Sequence, residues 1–282
     1  MCTLEDRKKK EIEHSKIRRS ILQGFERVSD STINSDQVKN TFVKNQDEFD
    51  YHFSNMKYYS VTVSSENYKE EWLKNNIKTG YKLLDFACGS GENSIFSAKC
   101  GAISYGIDIS PEGIVNARNN AEHFKLKDKC FFEVMDGENM NFSDNFFDIA
   151  VEYGALHHVD LDIALKEISR VLKPSSKMIC VEALRHNPLI HFYRKVTPHL
   201  RTEWEVNHIL GVESLEVMKK YFKNVNVKFF HLFSLLLVPL RKTFLFKALY
   251  PWFNKFDNFI LSNKFLGKYS WIMIIELSDP IK

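Results

Sequence analysis

Short apolar runs alternate along this chain with longer stretches in which apolar residues recur every three or four positions. YKLLDF (81–86), ISYGID (103–108), CFFEVMDGENM (130–140), FDIAVEY (147–153) and KMICVEA (177–183) read as five strands, largely too apolar to keep one face in water. Between them the chain turns helical at Glu92, again over 111–125, and over 161–172. Ser110 is a helix cap with Pro111 at the first helical position, and Lys173-Pro174 closes the last helix. Strands alternating with helices imply a parallel sheet covered on both faces, with ligands bound beyond the carboxyl ends of the strands. Asp85, Asp108, Asp136 and Glu152 all fall at such ends, one per strand, which scattered surface acids would rarely do.

After the first strand, Gly89 and Gly91 stand one residue apart, where missing Cβ atoms permit a sharp turn and close approach to a ligand. A dinucleotide fingerprint needs a third glycine three positions after the second, and that position holds Ser94. The pattern D-x-x-C-G-x-G in DFACGSG instead resembles the first motif of class I S-adenosylmethionine-dependent methyltransferases, a likeness strong over residues 78–184 and weak elsewhere.

That resemblance implies a Rossmann-like α/β fold: a seven-stranded, mostly parallel sheet, its last strand antiparallel, with helices on both faces. NVNVKFFHLF (224–233) and YSWIMIIEL (269–277) are the candidates for the last two strands. It implies S-adenosyl-L-methionine as cofactor and S-adenosyl-L-homocysteine as product. The binding residues would be Asp85, Ala87, Cys88, Gly89 and Gly91 of the loop, Asp108 and Ile109 at the ribose, Asp136 and Gly137 at the adenine, and Glu152 and Tyr153 after the fourth strand. Glu152 would bind the methionine ammonium or steady its loop, and Tyr153 could offer an aromatic face to the sulfonium. His157 and His158 follow on the loop facing the transferred methyl and are the catalytic candidates, with roles as base or as loop-orienting group both open.

The acceptor is expected against Tyr59, from a covering segment over 46–77, and against Arg185, Arg194, His199 and Arg201 beyond the fifth strand. Arginine there could grip a phosphate or carboxylate in bidentate fashion, and a solvated amphipathic helix is the plainer alternative. The histidines lack a compact ligand pattern, so no metal is expected.

Composition adds three points. A chain of 282 residues with formal net charge +3 suits one decorated domain: a charged helix or tail over 1–45, the cover over 46–77, and a core over 78–282 with insertions at 185–211 and 234–267. The dense charge of residues 1–28 reads as a solvated, frayed helix rather than a partner-binding arm. Cys2, Cys88, Cys100, Cys130 and Cys180 stand singly and no signal peptide opens the chain, so a cytoplasmic setting is expected, with peripheral contact at the inner membrane surface as its extension.

Charge is also uneven: from Met218 to Ser270 ten Lys or Arg stand against one acid, Asp257. The bridge 234–267 reads as a helical cap, a membrane-interfacial element or a nucleic-acid face, and its apolar run 229–240 is too short to span a bilayer. The expected function is methyl transfer to O or N of a small or amphipathic acceptor, such as a lipid, quinone or glycolipid. An RNA methyltransferase and a non-catalytic protein keeping the fold are the alternatives. Nucleic acid fits less well, because Leu and Phe come in runs rather than as sparse stacking platforms. Neither the acceptor nor the oligomeric state is written in the sequence.

Overall fold

The computed structural model describes residues 4–23, 42–43 and 46–282. Cys2 and most of the charged stretch between 24 and 45 lie outside the described residues. Leu22–Gln23 (β1) and Phe42–Val43 (β2) form a two-residue antiparallel ladder. The remaining strands are Lys82–Phe86 (β3), Ile103–Asp108 (β4), Cys130–Val134 (β5), Phe147–Tyr153 (β6), Leu172–Ala183 (β7), Phe222–Phe230 (β8) and Ile272–Pro280 (β9). They make one seven-stranded sheet in the order β5-β4-β3-β6-β7-β9-β8. Only β9 runs against its neighbours, pairing antiparallel with β7 and β8. This is the expected fold, and its strand order reverses between β3 and β6, where an open α/β sheet leaves a crevice.

The apolar runs form strands because both faces of the central sheet are covered. On one face Phe86, Phe147, Leu165, Ile168, Phe222 and Ile275 share a buried cluster. On the other, Leu73, Leu83, Ile149, Val151, Ile179 and Ile274 share a second. Parallel register then sets the ligand edge: Phe86 pairs with Ile107 and Glu152, and Glu152 with Cys180.

Boundaries differ from the expected ones for local reasons. The third strand stops at Val134, and the chain turns at once, with Asn139 N donating to Asp136 O. The helix Leu161–Val171 is capped by Asp160, which accepts from the backbone of Asp162 and Ile163, and β7 begins immediately after it at Leu172. An irregularity in the pairing, from Phe147–Leu172 to Ile149–Lys177, absorbs residues 173–176, with Ser175 at φ 62°.

The long bridge is a 3-10 turn (Ser234–Leu240), a helix (Phe244–Leu261) and a short helix (Lys264–Gly267). As a cap over the sheet it buries Phe246 and Leu261. Asp257 fixes it from beneath: the buried carboxylate accepts backbone N–H groups of Leu232 (3.2 Å), Phe233 (2.7 Å) and Ser234 (3.1 Å). Replacing it strands three donors, and hydrogen bonds to a charged acceptor are worth more than neutral ones. Asp257→Ala is therefore expected to lower the free energy of urea unfolding by about 3 kcal/mol, whereas Asn258→Ala, exposed on the same helix, stays within about 0.5 kcal/mol of the parent.

Candidate functional site

The glycine loop is held by an acid that does not itself line the cavity. Asp85 is buried, and its Oδ2 accepts from Ser94 N at 2.9 Å and Ser94 Oγ at 2.7 Å, tying the first turns of the helix Glu92–Lys99 to the end of β3. The loop between must double back, and Ala87 (φ 53°), Gly89 (φ 54°) and Gly91 (φ 81°) all take left-handed backbone. For Ala87 that conformation costs roughly 1–2 kcal/mol, a local strain at the wall of the cavity. At Gly91 a Cβ would come within 2.9 Å of the Phe132 ring, so packing excludes a side chain there.

Beyond the loop lies a cavity of about 380 Å³ at the carboxyl edge of the sheet. One end is polar. Asp108 lines it with both carboxylate oxygens fixed, Oδ2 by Gly89 N (2.9 Å) and Oδ1 by Ser110 N (2.8 Å). Asp136 and Gly137 follow on the next turn, and a Cβ on Gly137 would meet the Phe86 ring at 2.5 Å. Cys88 lines the loop too, but burial and the nearby Asp85 and Asp108 push its thiol well above the ordinary range, leaving it protonated. The other end is aromatic and aliphatic, with Tyr58, Tyr59, Ile190, Tyr193 and Trp271 in its wall.

Between the two ends stands a chain of acids and a histidine. Glu182, in β7, is fully buried, accepts Leu156 N at 2.7 Å through Oε1 and meets His157 Nδ1 at 2.7 Å through Oε2. Burial opposes its charge, but the His157 ring outweighs burial and holds the carboxyl below its usual range. Glu152 accepts Ala155 N at 2.5 Å, while its own burial and the neighbouring Glu182 push it well above that range, so it keeps its proton. An ionised Glu182 favours Nδ1 of His157 as the donor, and the ring's Nε2 points away from Glu182, with Glu205 Oε1 4.0 Å away. The arrangement can take a proton from a group in the cavity.

The N-terminal helix Leu4–Ile21 is not a solvated tail, contrary to the reading of its charge. Arg7, 2 % exposed, pairs with Glu138 at 2.5 Å, and Lys8 reaches Asp136 at 2.5 Å. Arg19 donates to Ser90 Oγ at 2.9 Å, and Glu11 lies 2.9 Å from His158 Nδ1. The helix thus covers the polar end of the cavity, held by ion pairs rather than an apolar stripe. At His158 burial disfavours the charged ring, but Glu11, Glu205 and Glu182 overcome it and raise the group to about 9.

Among the residues singled out from the sequence, Ala87, Cys88, Gly89, Asp108, Ile109, Asp136, Gly137, Tyr153, His157, His158, Tyr59, Arg194 and Arg201 all line this one cavity. Asp85, Gly91 and Glu152 stand behind its wall. Arg185 points elsewhere, paired with Glu213 at 2.7 Å, and His199 stacks on Tyr51 at the surface, ring centroids 4.1 Å apart. Arg194 donates to Leu184 O at 2.9 Å, and burial, then Arg201, lowers it to about 10. The sequence reading passed over Glu182, Glu205, Glu138 and the basic side chains of the N-terminal helix. For Glu182 the signal was present, since KMICVEA carries an acid near its strand end as the other strands do.

Residues 84–180 match the sequence model of the methyltransferase domain family. Fold, glycine loop and acid-ended strands agree with that match to a methyltransferase domain. Over 148 residues it is 28 % identical to sterol 4-C-methyltransferase of Caenorhabditis elegans, covering 52 % of this chain and 43 % of that protein. Over 108 residues it is 34 % identical to the ubiquinone/menaquinone biosynthesis C-methyltransferase UbiE of Rhodopseudomonas palustris, covering 37 % and 43 %. The chain therefore spans less than half the length of these relatives. Among solved structures, phosphoethanolamine N-methyltransferase 2 of Haemonchus contortus shares the fold at TM-score 0.56 and 17 % identity, over 86 % of this chain and 62 % of that one. The [4+2]-cyclase SpnF does so at TM-score 0.52 and 19 % identity, over 77 % and 81 %.

The Glu11–His158 contact makes a pH-dependent prediction. A group raised from 6.5 to about 9 on folding adds stability that is complete below about pH 6.5 and lost as pH climbs through about 9. Urea unfolding should show the parent more stable than His158→Gln by about 1–2 kcal/mol near pH 6, allowing for partial exposure, with the difference gone by about pH 10.

Proposed function

We propose that the protein transfers a methyl group from S-adenosylmethionine to a small amphipathic acceptor, at an oxygen or carbon whose proton must leave. The observation that carries this reading is the Glu182–His157 pair, set between the polar, acid-lined end of the cavity and its aromatic end. The residues present fit the cofactor. Asp108 is a backbone-fixed carboxylate suited to a ribose diol, Gly137 leaves no side chain over a ring, and Tyr153 offers an aromatic face. S-adenosylmethionine bound there supplies an electrophilic methyl on a sulfonium.

The chain's own part is positioning, exclusion of water and proton transfer. Tyr58, Tyr59, Tyr193 and Trp271 pack the acceptor's apolar body, and fixing its reacting atom in line with the methyl could supply up to about 7–11 kcal/mol of the barrier. Arg194 and Arg201 lie where a polar or anionic head would sit. Nε2 of His157 takes the acceptor's proton, and Glu182 steadies the imidazolium that results. The helix Leu4–Ile21 shuts the polar end from solvent.

The relatives named for sterol and quinone C-methylation support an acceptor of lipid-like chemistry, and peripheral contact with a membrane is its natural setting. No helix among the described residues is long and apolar enough to cross one. Nucleic acid is the less favoured partner, because the acceptor end is an apolar pocket rather than an open basic groove.

Calorimetry with S-adenosylmethionine and S-adenosylhomocysteine tests the cofactor, and absence of heat at millimolar ligand would refute the reading. Asp108→Ala should weaken both by at least about tenfold per ribose hydrogen bond lost, at about 1.5–3 kcal/mol each. In methyl-transfer assays on quinol and sterol acceptors, His157→Asn should lower kcat by about 10²-fold or more with little change in cofactor affinity. Glu182→Gln should lower kcat in the same direction and alter its pH dependence; unchanged turnover in both variants would remove the pair from the mechanism.

A further inference from the structure

The helix Phe244–Leu261 carries two apolar faces, and only one is packed. Phe246, Tyr250, Phe253, Asp257 and Leu261, spaced by three or four residues, face the protein. Leu245, Leu249, Trp252, Phe256 and Phe259 repeat the same spacing about a third of a turn away and face solvent, Trp252 at 74 % and Phe259 at 75 % exposure. Phe244 before this stripe and Phe265 beyond it are 79 % and 69 % exposed. Single exposed apolar residues are ordinary, but a continuous stripe of this kind marks a surface that is covered in use.

Charge indicates by what. Lys242, Lys255, Lys264 and Lys268 stand beside the stripe or at its ends, and from residue 229 to residue 272 the one acid is Asp257, turned inward onto the backbone of 232–234. An apolar stripe of Trp, Phe and Leu flanked by lysines with no outward acid is the chemistry of a helix lying in a lipid headgroup layer. The smaller helix Pro188–Val196 adds to it. Its Leu189, Phe192 and Val196 are exposed, and Asn187, which caps it, donates to Tyr269 O at 2.8 Å, joining it to the end of the same stretch.

We propose that this face docks the protein on an anionic lipid bilayer, with the stripe Leu245–Phe259 dipping into the acyl boundary and the lysines on the headgroups. The docking stands apart from the methyl-transfer reading, but it bears on it. The inner side of the helix holds Val61 O through Tyr250 Oη at 2.8 Å, and Tyr58 and Tyr59 of that same segment line the acceptor end of the cavity. The acceptor end thus lies about one helix thickness, roughly 10 Å, from the lipid.

Flotation of the full chain with vesicles of phosphatidylcholine, alone or mixed with phosphatidylserine, tests the docking. Binding is expected to the mixed vesicles and to fall with salt. Lys255→Ala with Lys264→Ala should weaken it by about thirtyfold, and Trp252→Ser with Phe259→Ser by about tenfold or more, with unchanged circular dichroism because all four side chains are exposed. Cofactor binding by calorimetry should be the same in every variant, which separates failure of docking from failure of the catalytic reading. No flotation, or flotation indifferent to these changes, would overturn the proposal. So would binding of single-stranded RNA through the same lysines without vesicle binding, or a dimer that forms without lipid and is lost in Trp252→Ser with Phe259→Ser.

Discussion

Carboxylates placed at one edge of a parallel sheet must each find a partner, and the site is the set of solutions to that constraint. Parallel strands all end on the same side, so Asp85, Asp108, Glu152 and Glu182 stand along one edge, where the ladder ends and the N–H groups of the following turns become their partners. Each solution shapes something different. Asp85 takes Ser94 and thereby fixes the glycine loop; Asp108 takes Gly89 and Ser110 and so becomes rigid; Glu152 keeps its proton; Glu182 takes Leu156 and His157. An unpaired ion here would cost several kcal/mol, so the geometry of loop and histidine follows from electrostatics as much as from packing.

How much of this could be read from the chain depends on whether the determining contact is local. DFACGSG carried the loop because a strand end, an acid and two glycines are neighbours in sequence, and the alternation of apolar runs carried the sheet. The roles of the acids were less visible. Asp85 and Glu152 looked like ligand-facing groups, yet register turns both behind the wall, and which side of a strand end a carboxylate takes depends on its neighbours across the sheet. Arg185 and His199 were grouped with Arg194 and Arg201 by sequence proximity, but the first pair diverges to Glu213 and Tyr51, Arg185 standing before the helix Pro188–Val196 and His199 in the 3-10 turn Pro198–Leu200 after it.

The N-terminal helix was misread for an instructive reason. Its charge has no apolar period, which normally marks a solvated element. Here the complement is not in the helix at all but more than a hundred residues away, at Asp136, Glu138 and His158. Of the helix, Ile21 joins only a small satellite cluster with Phe53, and no residue enters the two clusters flanking the sheet. The sheet therefore stands without the helix, and ion pairs of modest net worth hold the cover in place.

The split between Glu152 and Glu182 bears on what the site can catalyse. Two carboxyls buried side by side cannot both ionise, and the backbone decides which does. Glu182 has the His157 ring within reach, whereas Glu152 has the backbone of the same loop and Glu182 itself. One negative charge thus sits behind the imidazole, enough to neutralise it once it accepts a proton. A neutral amine needs no such help before attack, while a hydroxyl or an acidified carbon loses its proton in or near the step that forms the new bond. A buried counter-ion reserved for a protonated His157 is therefore better matched to oxygen or carbon as the receiving atom than to nitrogen.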